Sequence, residues 1–195
     1  MPHRSARPRT LGRVEFLTSE SGVEAHLSRL AKRIDPENRT VLDDRGTEYR
    51  FEKLLLATGG KVRRLPSELD GIIYFRTLDD FHQLRSLAEQ RERFVIIGGG
   101  FIGAEVAAAL TMRKKQVTMI FPEESIGARV YPRRLSSYLN SFCRIKGVSV
   151  LAEDGVSYIK KRGSSYFVKT TKGREVAADG IVAGIGILPD VELAP

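Results

Sequence analysis

Thiol chemistry is nearly absent from this sequence. Cys143 is the single cysteine, so no disulfide can close within the chain and no C-x-x-C dithiol can cycle. Histidine is scarce too: His3, His26 and His82 are scattered, in none of the spacings that hold zinc, and no metal site is expected. No apolar run approaches the ~20 residues that a membrane-spanning helix needs. The solitary cysteine reads as a small buried apolar side chain. It also fits a reducing compartment, so an intracellular location, cytoplasmic or mitochondrial, is the expectation.

Carboxylates are missing from residues 1–13, MPHRSARPRTLGR, which carry Arg4, Arg7, Arg9 and Arg13. An Arg-rich, acid-free start suits either a transit peptide or a flexible, solvated end, and Pro2 and Pro8 oppose the amphipathic helix that the first would need. Over the whole chain 32 Lys and Arg face 24 Asp and Glu, a net charge of +8. That excess suits an anionic ligand, either nucleic acid or an anionic cofactor. With 195 residues, 42% of them hydrophobic and 29% charged, the chain is ordinary for a globular protein and can bury a normal core.

The densest stretch is residues 94–124, FVIIGGGFIGAEVAAALTMRKKQVTMIFPEE. The apolar run Phe94 to Ile97 predicts a buried parallel strand. It enters Gly98-Gly99-Gly100-Phe101-Ile102-Gly103, a G-x-G-x-x-G loop. There Gly98 permits a sharp turn, Gly100 leaves room for a pyrophosphate, and Gly103 lets a helix lie close on the strand. Ile102, Val106, Ala109 and Leu110 follow at helical spacing. The unpaired N–H groups and the dipole at the start of that helix attract phosphate. A second apolar strand, Val117 to Phe121, leads to Glu123 and Glu124, where an acid can accept hydrogen bonds from ribose hydroxyls. Its charge disfavours a 2′-phosphate, so NAD(H) is expected over NADP(H), although Arg129 is a nearby cation that would tolerate one. Glu105 either offsets the helix dipole or faces the cofactor; the pattern leaves both open.

The chain also repeats itself. RGTEYRFEKLLLATGG, from Arg45, and KGREVAADGIVAGIGI, from Lys172, align on Gly46 and Gly173. Glu48 then matches Glu175, Glu52 matches Asp179, and Gly59 matches Gly186. Each segment climbs from a turn into an expected apolar strand, Leu54 to Ala57 in one and Ile181 to Ala183 in the other. Each follows a hairpin, with turns at Asp35-Pro36-Glu37-Asn38 and at Arg162-Gly163-Ser164. Tyr166, Val168 and Thr170 alternate with Phe167, Lys169 and Thr171, as a half-buried strand requires. Only the second copy is preceded by a glycine loop and helix. Chance likeness of two glycine-anchored strands is the alternative to a true repeat.

LLLATGG with RRLP, then YFRTLDDFHQL, FVIIGGGFIGAEVA, FPEE and GIGILPDVEL, in that order, resemble the FAD-dependent pyridine nucleotide-disulfide oxidoreductases. The likeness is to the branch of apoptosis-inducing factor and the ferredoxin, putidaredoxin and rubredoxin reductases, and it covers Val23 to Pro195. It implies an α/β fold: a Rossmann-like NAD-binding domain, made of a parallel sheet and a small antiparallel meander, with a partial FAD-binding domain. Residues 1–13 would be a flexible N-terminus, 14–71 the partial FAD-binding domain, 72–182 the NAD-binding domain and 183–195 the start of the return toward the flavin. Gly98, Gly99, Gly100, Phe101, Ile102 and Gly103 would hold the NAD pyrophosphate, Glu105 and Gly186 would lie toward the nicotinamide, and Glu123 and Arg129 would flank the adenosine. Ala57, Thr58, Gly59 and Arg76 would touch FAD, and Ala31 stands where the family's meander meets adenine.

The family's own FAD glycine loop, its later aspartate-containing flavin motif and its C-terminal domain have no counterpart here, so the chain reads as truncated. The resemblance implies the NAD(H)-binding portion of a flavin-dependent NADH oxidoreductase, with hydride passing from NADH to FAD in the intact enzyme. No catalytic side chain is expected in this portion, and the electron acceptor and oligomeric state stay open. A second reading is a non-catalytic module like apoptosis-inducing factor that binds NAD and, through Arg63-Arg64, Lys114-Lys115, Arg133-Arg134 and Lys160-Lys161-Arg162, DNA. No aromatic residue is interleaved in those runs. A third is a fragment destabilised by unpaired strand edges within 14–71.

Overall fold

The computed structural model describes residues 22–66 and 70–194; the expectations for residues 1–13 lie outside them. The described residues form two compact units, 22–58 with 190–194, and 59–189. These compact units divide at 58/59 and 189/190. The reason is a pairing inside the second unit: β4 (Gly60–Val62) runs antiparallel to β13 (Ile187–Pro189), with Val62 opposite Ile187.

The first unit is built on an antiparallel meander of β1 (Ala31–Asp35), β2 (Thr40–Asp43) and β3 (Glu48–Arg50). Asp35 closes the Pro36 turn by accepting from the backbone N and the Nδ2 of Asn38, both at 2.9 Å. Those bonds hold its carboxyl below the usual carboxylate range. Asp43 is buried. Burial alone would push its carboxyl up, yet donors at 2.8–3.0 Å from the N–H groups of Thr47 and Arg45, the Tyr49 hydroxyl and the Arg29 guanidinium hold it low.

The second unit has three layers around a parallel sheet. The strand order is β5 (Ile72–Ile73), β12 (Gly180–Ala183), β6 (Arg93–Ile97), β7 (Gln116–Ile120), β8 (Ser149–Leu151). Helices α1 (Leu78–Gln90), α2 (Phe101–Met112) and α3 (Arg133–Ile145) cover one face. The other face carries a second meander of β9 (Val156–Arg162), β10 (Ser165–Thr170) and β11 (Glu175–Ala178). The two-residue period of the sheet sorts side chains between the layers. Phe94, Ile96, Val117 and Met119 point toward Leu84, Ala88, Val106, Ala107 and Leu110 of the helices. Val95, Ile97, Ile120 and Ile181 meet Tyr166, Val168 and Ala178 of the meander. Each large side chain buried this fully stabilises the fold by about 1.5–3 kcal/mol. Cys143 packs half-buried against the helix-side core, where burial pushes its thiol up.

The repeat is visible in hydrogen bonds. Asp43 N donates to Thr47 O, and Gly46 N to Asp43 O. Thr170 N donates to Arg174 O, and Gly173 N to Thr170 O, at the matching positions. The side chain at the head of each turn also accepts from the matching amide, Asp43 from Thr47 N and Thr170 from Arg174 N. Leu54 to Ala57, however, forms no strand, and Leu55 is 88% exposed. Its counterpart in β12 has a parallel neighbour on each side, β5 and β6. Leu54 to Ala57 has none among the described residues, and a strand is held by its neighbours' N–H and C=O groups.

One ion pair secures the start of the sheet. Asp179, just before β12, accepts from Arg93 N at 3.0 Å and from Arg93 Nη2 at 2.8 Å, while its own N–H donates to Arg93 O at 2.7 Å. The Arg93 guanidinium, then the Arg93 and Glu92 amides, pull the carboxyl from 3.8 down to about 2. A carboxylate whose pKa falls on folding stabilises the fold above its unfolded pKa and stops doing so as pH falls through the folded value. Asp179→Asn is therefore expected to cost about 1–3 kcal/mol at neutral pH. It should also flatten the loss of stability between about pH 4 and pH 2. Thermal melts of both proteins across that range check this; superimposable acid limbs would refute it.

Candidate functional site

A cleft of about 480 Å³ opens at the carboxyl ends of three adjacent strands. Its walls are Gly98 to Ile102 after β6, Pro122, Glu123, Ser125 and Gly127 to Val130 after β7, and Gly184 to Ile187 after β12, with Arg76 at one side. The chain passes from β6 to β7 and β8 on one side, then returns to β12 on the other. A crevice at such a reversal is where open α/β sheets take ligands.

The glycines of the loop differ in what requires them. Gly98 has φ +114°, and a Cβ there would strike the Gly184 carbonyl oxygen. A Cβ on Gly99 would lie 2.7 Å from the Phe121 ring. A Cβ on Gly103, which is buried on the inner face of α2, would strike the Gly98 carbonyl oxygen. Gly100 alone of the four has nothing within 4 Å of that position, and its φ of −80° suits any residue. It is the N-cap of α2 and lines the cleft, and no side chain caps the helix. The first-turn N–H groups have no carbonyl partner within the helix, and the positive end of its dipole adds to their pull on an anion.

The loop after β7 is held in place from two directions. Gly127 N donates to Gly99 O at 2.8 Å, and the rings of Phe101 and Tyr131 meet edge to face at 5.6 Å. Buried Asn140 of α3 accepts from Ile126 N at 2.9 Å and donates to Glu124 O at 3.0 Å. Glu123 thereby faces the cleft and pairs with Arg129 at 2.6 Å, whereas Glu124 turns to Arg133 at 3.3 Å. A carboxylate and a guanidinium side by side can accept from hydroxyls and donate to phosphate oxygens.

Not all the sequence-predicted residues converge here. Gly98, Gly99, Gly100, Phe101, Ile102, Glu123, Arg129, Gly186 and Arg76 line the cleft. Gly103 supports it from below. Glu105 lies elsewhere, in a second, largely apolar cavity of about 270 Å³ between α1 and α2, with Phe75, Phe81 and Leu84; Ile102 borders both. The helical turn places Glu105 on the lining of that cavity rather than of the cleft. Arg76, assigned to flavin, has its guanidinium beside Gly59 and its amide bonded to Asp80 Oδ2 at 3.0 Å, next to the Thr77–Asp80 capping box of α1. Ala57, Thr58 and Ala31 belong to the first unit, where the Thr58 hydroxyl donates to Asp190 O and Ala31 opens β1. Asn140, Tyr131 and Ser125 had no signal in the sequence, because what they touch or line comes together only in the folded chain.

The basic runs are largely engaged within the fold. Lys160 lies over the Tyr158 ring at 4.9 Å, Lys161 over Tyr166 at 5.4 Å and Arg162 over Phe167 at 5.4 Å. Two of these contacts cross from β9 to β10, and the Lys160–Tyr158 contact lies within β9. Arg64 covers Tyr74, Arg63 donates to Ile187 O, and Lys115 pairs with Glu92.

The family described as pyridine nucleotide-disulphide oxidoreductase matches residues 3–194. The chain is 33% identical over 187 residues to the ferredoxin reductase subunit of a 5,5'-dehydrodivanillate O-demethylase from Sphingobium sp., covering 93% of this chain and 45% of that protein. It is 33% identical over 184 residues to rubredoxin-NAD(+) reductase of Pseudomonas putida, covering 92% and 48%. The crystal structure of a ferredoxin reductase from Rhodopseudomonas palustris superimposes with a TM-score of 0.79 at 30% identity, over 97% of this chain and 46% of that one. The chain spans about half the length of the relatives it matches.

The glycines give a stability test. Gly103→Ala forces a methyl group into the Gly98 carbonyl and is expected to cost about 1–3 kcal/mol or more. Gly100→Ala fills open space and should cost less than about 1 kcal/mol, from the poorer helix cap alone. Urea denaturation of the two variants decides it, and equal losses would contradict the packing described.

Proposed function

The chain belongs to the pyridine nucleotide-disulphide oxidoreductase family, and from that premise we propose that it forms the NAD(H)-binding portion of a flavin-dependent NADH oxidoreductase. Gly100 carries the reading: the fold has room for a side chain there and the backbone would accept one, yet the position is bare and lines the cleft. Bare backbone at an uncapped helix start suits a diphosphate drawn against N–H groups. In this reading Gly98 and Gly99 set the turn, Gly100, Phe101 and Ile102 meet the diphosphate, and Gly103 keeps α2 close enough to do so.

Glu123 accepts from the adenosine ribose hydroxyls and repels a 2′-phosphate, which favours NAD(H) over NADP(H). Arg129 balances part of that charge at the rim. Gly186 leaves space toward the nicotinamide end. Ala57, Thr58, Gly59 and Arg76 are the proposed flavin contacts, and the sequence holds only one G-x-G-x-x-G, so a flavin diphosphate has no second loop of this kind within it. When both cofactors are bound, the nicotinamide supplies a hydride and the flavin takes it up, chemistry that asks the protein for position rather than for an acid or base. The relatives' names, ferredoxin reductase and rubredoxin-NAD(+) reductase, support a small iron-binding electron carrier as the acceptor of the whole protein. The internal engagement of the basic runs favours the dinucleotide over nucleic acid as the anion recognised.

Titration of the protein with NADH, NADPH and FAD, followed by fluorescence, tests the reading. NADH should bind more tightly than NADPH. Gly100→Ala should weaken NADH roughly tenfold, about 1.4 kcal/mol, at little cost in stability. Glu123→Ala should weaken NADH and narrow its advantage over NADPH. The purified chain should lack the yellow of stoichiometric flavin. NADH affinity indifferent to both substitutions would sink the site, and a tightly bound flavin would sink its restriction to the nicotinamide nucleotide.

A further inference from the structure

We propose that α3 docks the protein onto an anionic lipid surface. The helix, RRLSSYLNSFCRI, is amphipathic with its faces exchanged. Its inner side mixes polar and apolar residues: Ser136 and Asn140 are buried, and Leu139 and Cys143 pack half-buried against the sheet. Its large apolar side chains point outward. Leu135 is 43% exposed, Tyr138 60%, Phe142 41% and Ile145 82%. Steps of three, four and three residues set these side chains in one stripe along the helix. Single exposed apolar residues are commonplace, but a stripe running the length of a helix marks a contact surface.

Charge selects the occupant. Arg134 and the C-cap Lys146 flank the stripe, Arg133 and Arg144 lie on the other side of the helix, and α3 contains no carboxylate. Glu124 pairs with Arg133, Arg144 donates to Val150 O, and the Lys146 ammonium lies 5.5 Å from the Phe142 ring. A second copy of the chain would set this basic border against itself in either helix orientation. A protein partner would need an acidic groove, because the stripe is a ridge and neither cavity described above is lined by a residue of α3. A lipid interface yields to a ridge. Tyr138 and Phe142, stacked at 6.0 Å, would sit at the headgroup level while the cations remain among phosphates. The neighbouring end of the unit fits as well. Helices α2 and α3 follow the adjacent parallel strands β6 and β7, so their C-termini lie at one end of the sheet. There Met112, 86% exposed, precedes Arg113 and Lys114.

Co-sedimentation of the 195-residue chain with vesicles tests this. Vesicles of phosphatidylcholine with about one-third phosphatidylglycerol should hold the protein at least ~10-fold more strongly than phosphatidylcholine alone, and added salt should release it. Tyr138→Ser with Ile145→Ser, both at exposed positions, should reduce that partition by about tenfold with an unchanged circular dichroism spectrum. Arg134→Glu with Lys146→Glu should do the same, and Ile145→Leu should retain binding. Absence of binding to the anionic vesicles overturns the proposal, as does binding that ignores both substituted pairs. Concentration-dependent dimers that vanish with Tyr138→Ser and Ile145→Ser, without lipid binding, would assign the stripe to a second copy and overturn it too.

Discussion

Three main-chain segments meet without side chains where β6, β12 and α2 converge. The Gly98 carbonyl lies where a Cβ of Gly103 would be, and the Gly184 carbonyl lies where a Cβ of Gly98 would be. Gly184 N completes the junction by donating to Ile97 O at 2.8 Å. This approach seats the start of α2 against two strand ends at once, and the cleft is the space left in front of it. Any bulk at Gly98 or Gly103 would separate the layers that form its floor.

The two faces of the sheet divide the work of stability. Helices bury Phe94, Ile96 and Met119, and the meander buries Val95, Ile97 and Ile120, so successive residues of one strand serve different layers. The same meander frame occurs in the first unit, with matching bonds at Asp43 and Thr170 but different chemistry at the head of the turn. A carboxylate there gathers Arg29 and Tyr49 as well as amides; a threonine supplies the bond the frame requires. The shared geometry survives the exchange because both side chains place an oxygen beside the same amide.

Much of the second unit was legible in the sequence. The strand, glycines, helix and second strand of residues 94–121 announce themselves because each has a local cause: an apolar run, a bare turn, a 3.6-residue period. The alternation of Tyr166, Val168 and Thr170 was readable for the same reason, and all three are buried. What failed depended on partners far away in sequence. Leu54 to Ala57 has the composition of a buried strand but lacks the neighbours that would make it one. The pairing of Gly60–Val62 with Ile187–Pro189 joins residues too distant in sequence for any local pattern to reveal it. At the site, Glu123 was readable from its distance to the glycines, Glu105 fell on an ambiguous turn of the helix, and Asn140 left no trace.

Arg93 and Asp179 fasten β6 to β12 at the end of the sheet opposite the cleft. Strand register is thus settled at one pole of the sheet, and the lining of the cleft lies at the other. Side chains such as Glu123 and Arg129 can be exchanged over evolutionary time without disturbing alignment, because they take no part in it.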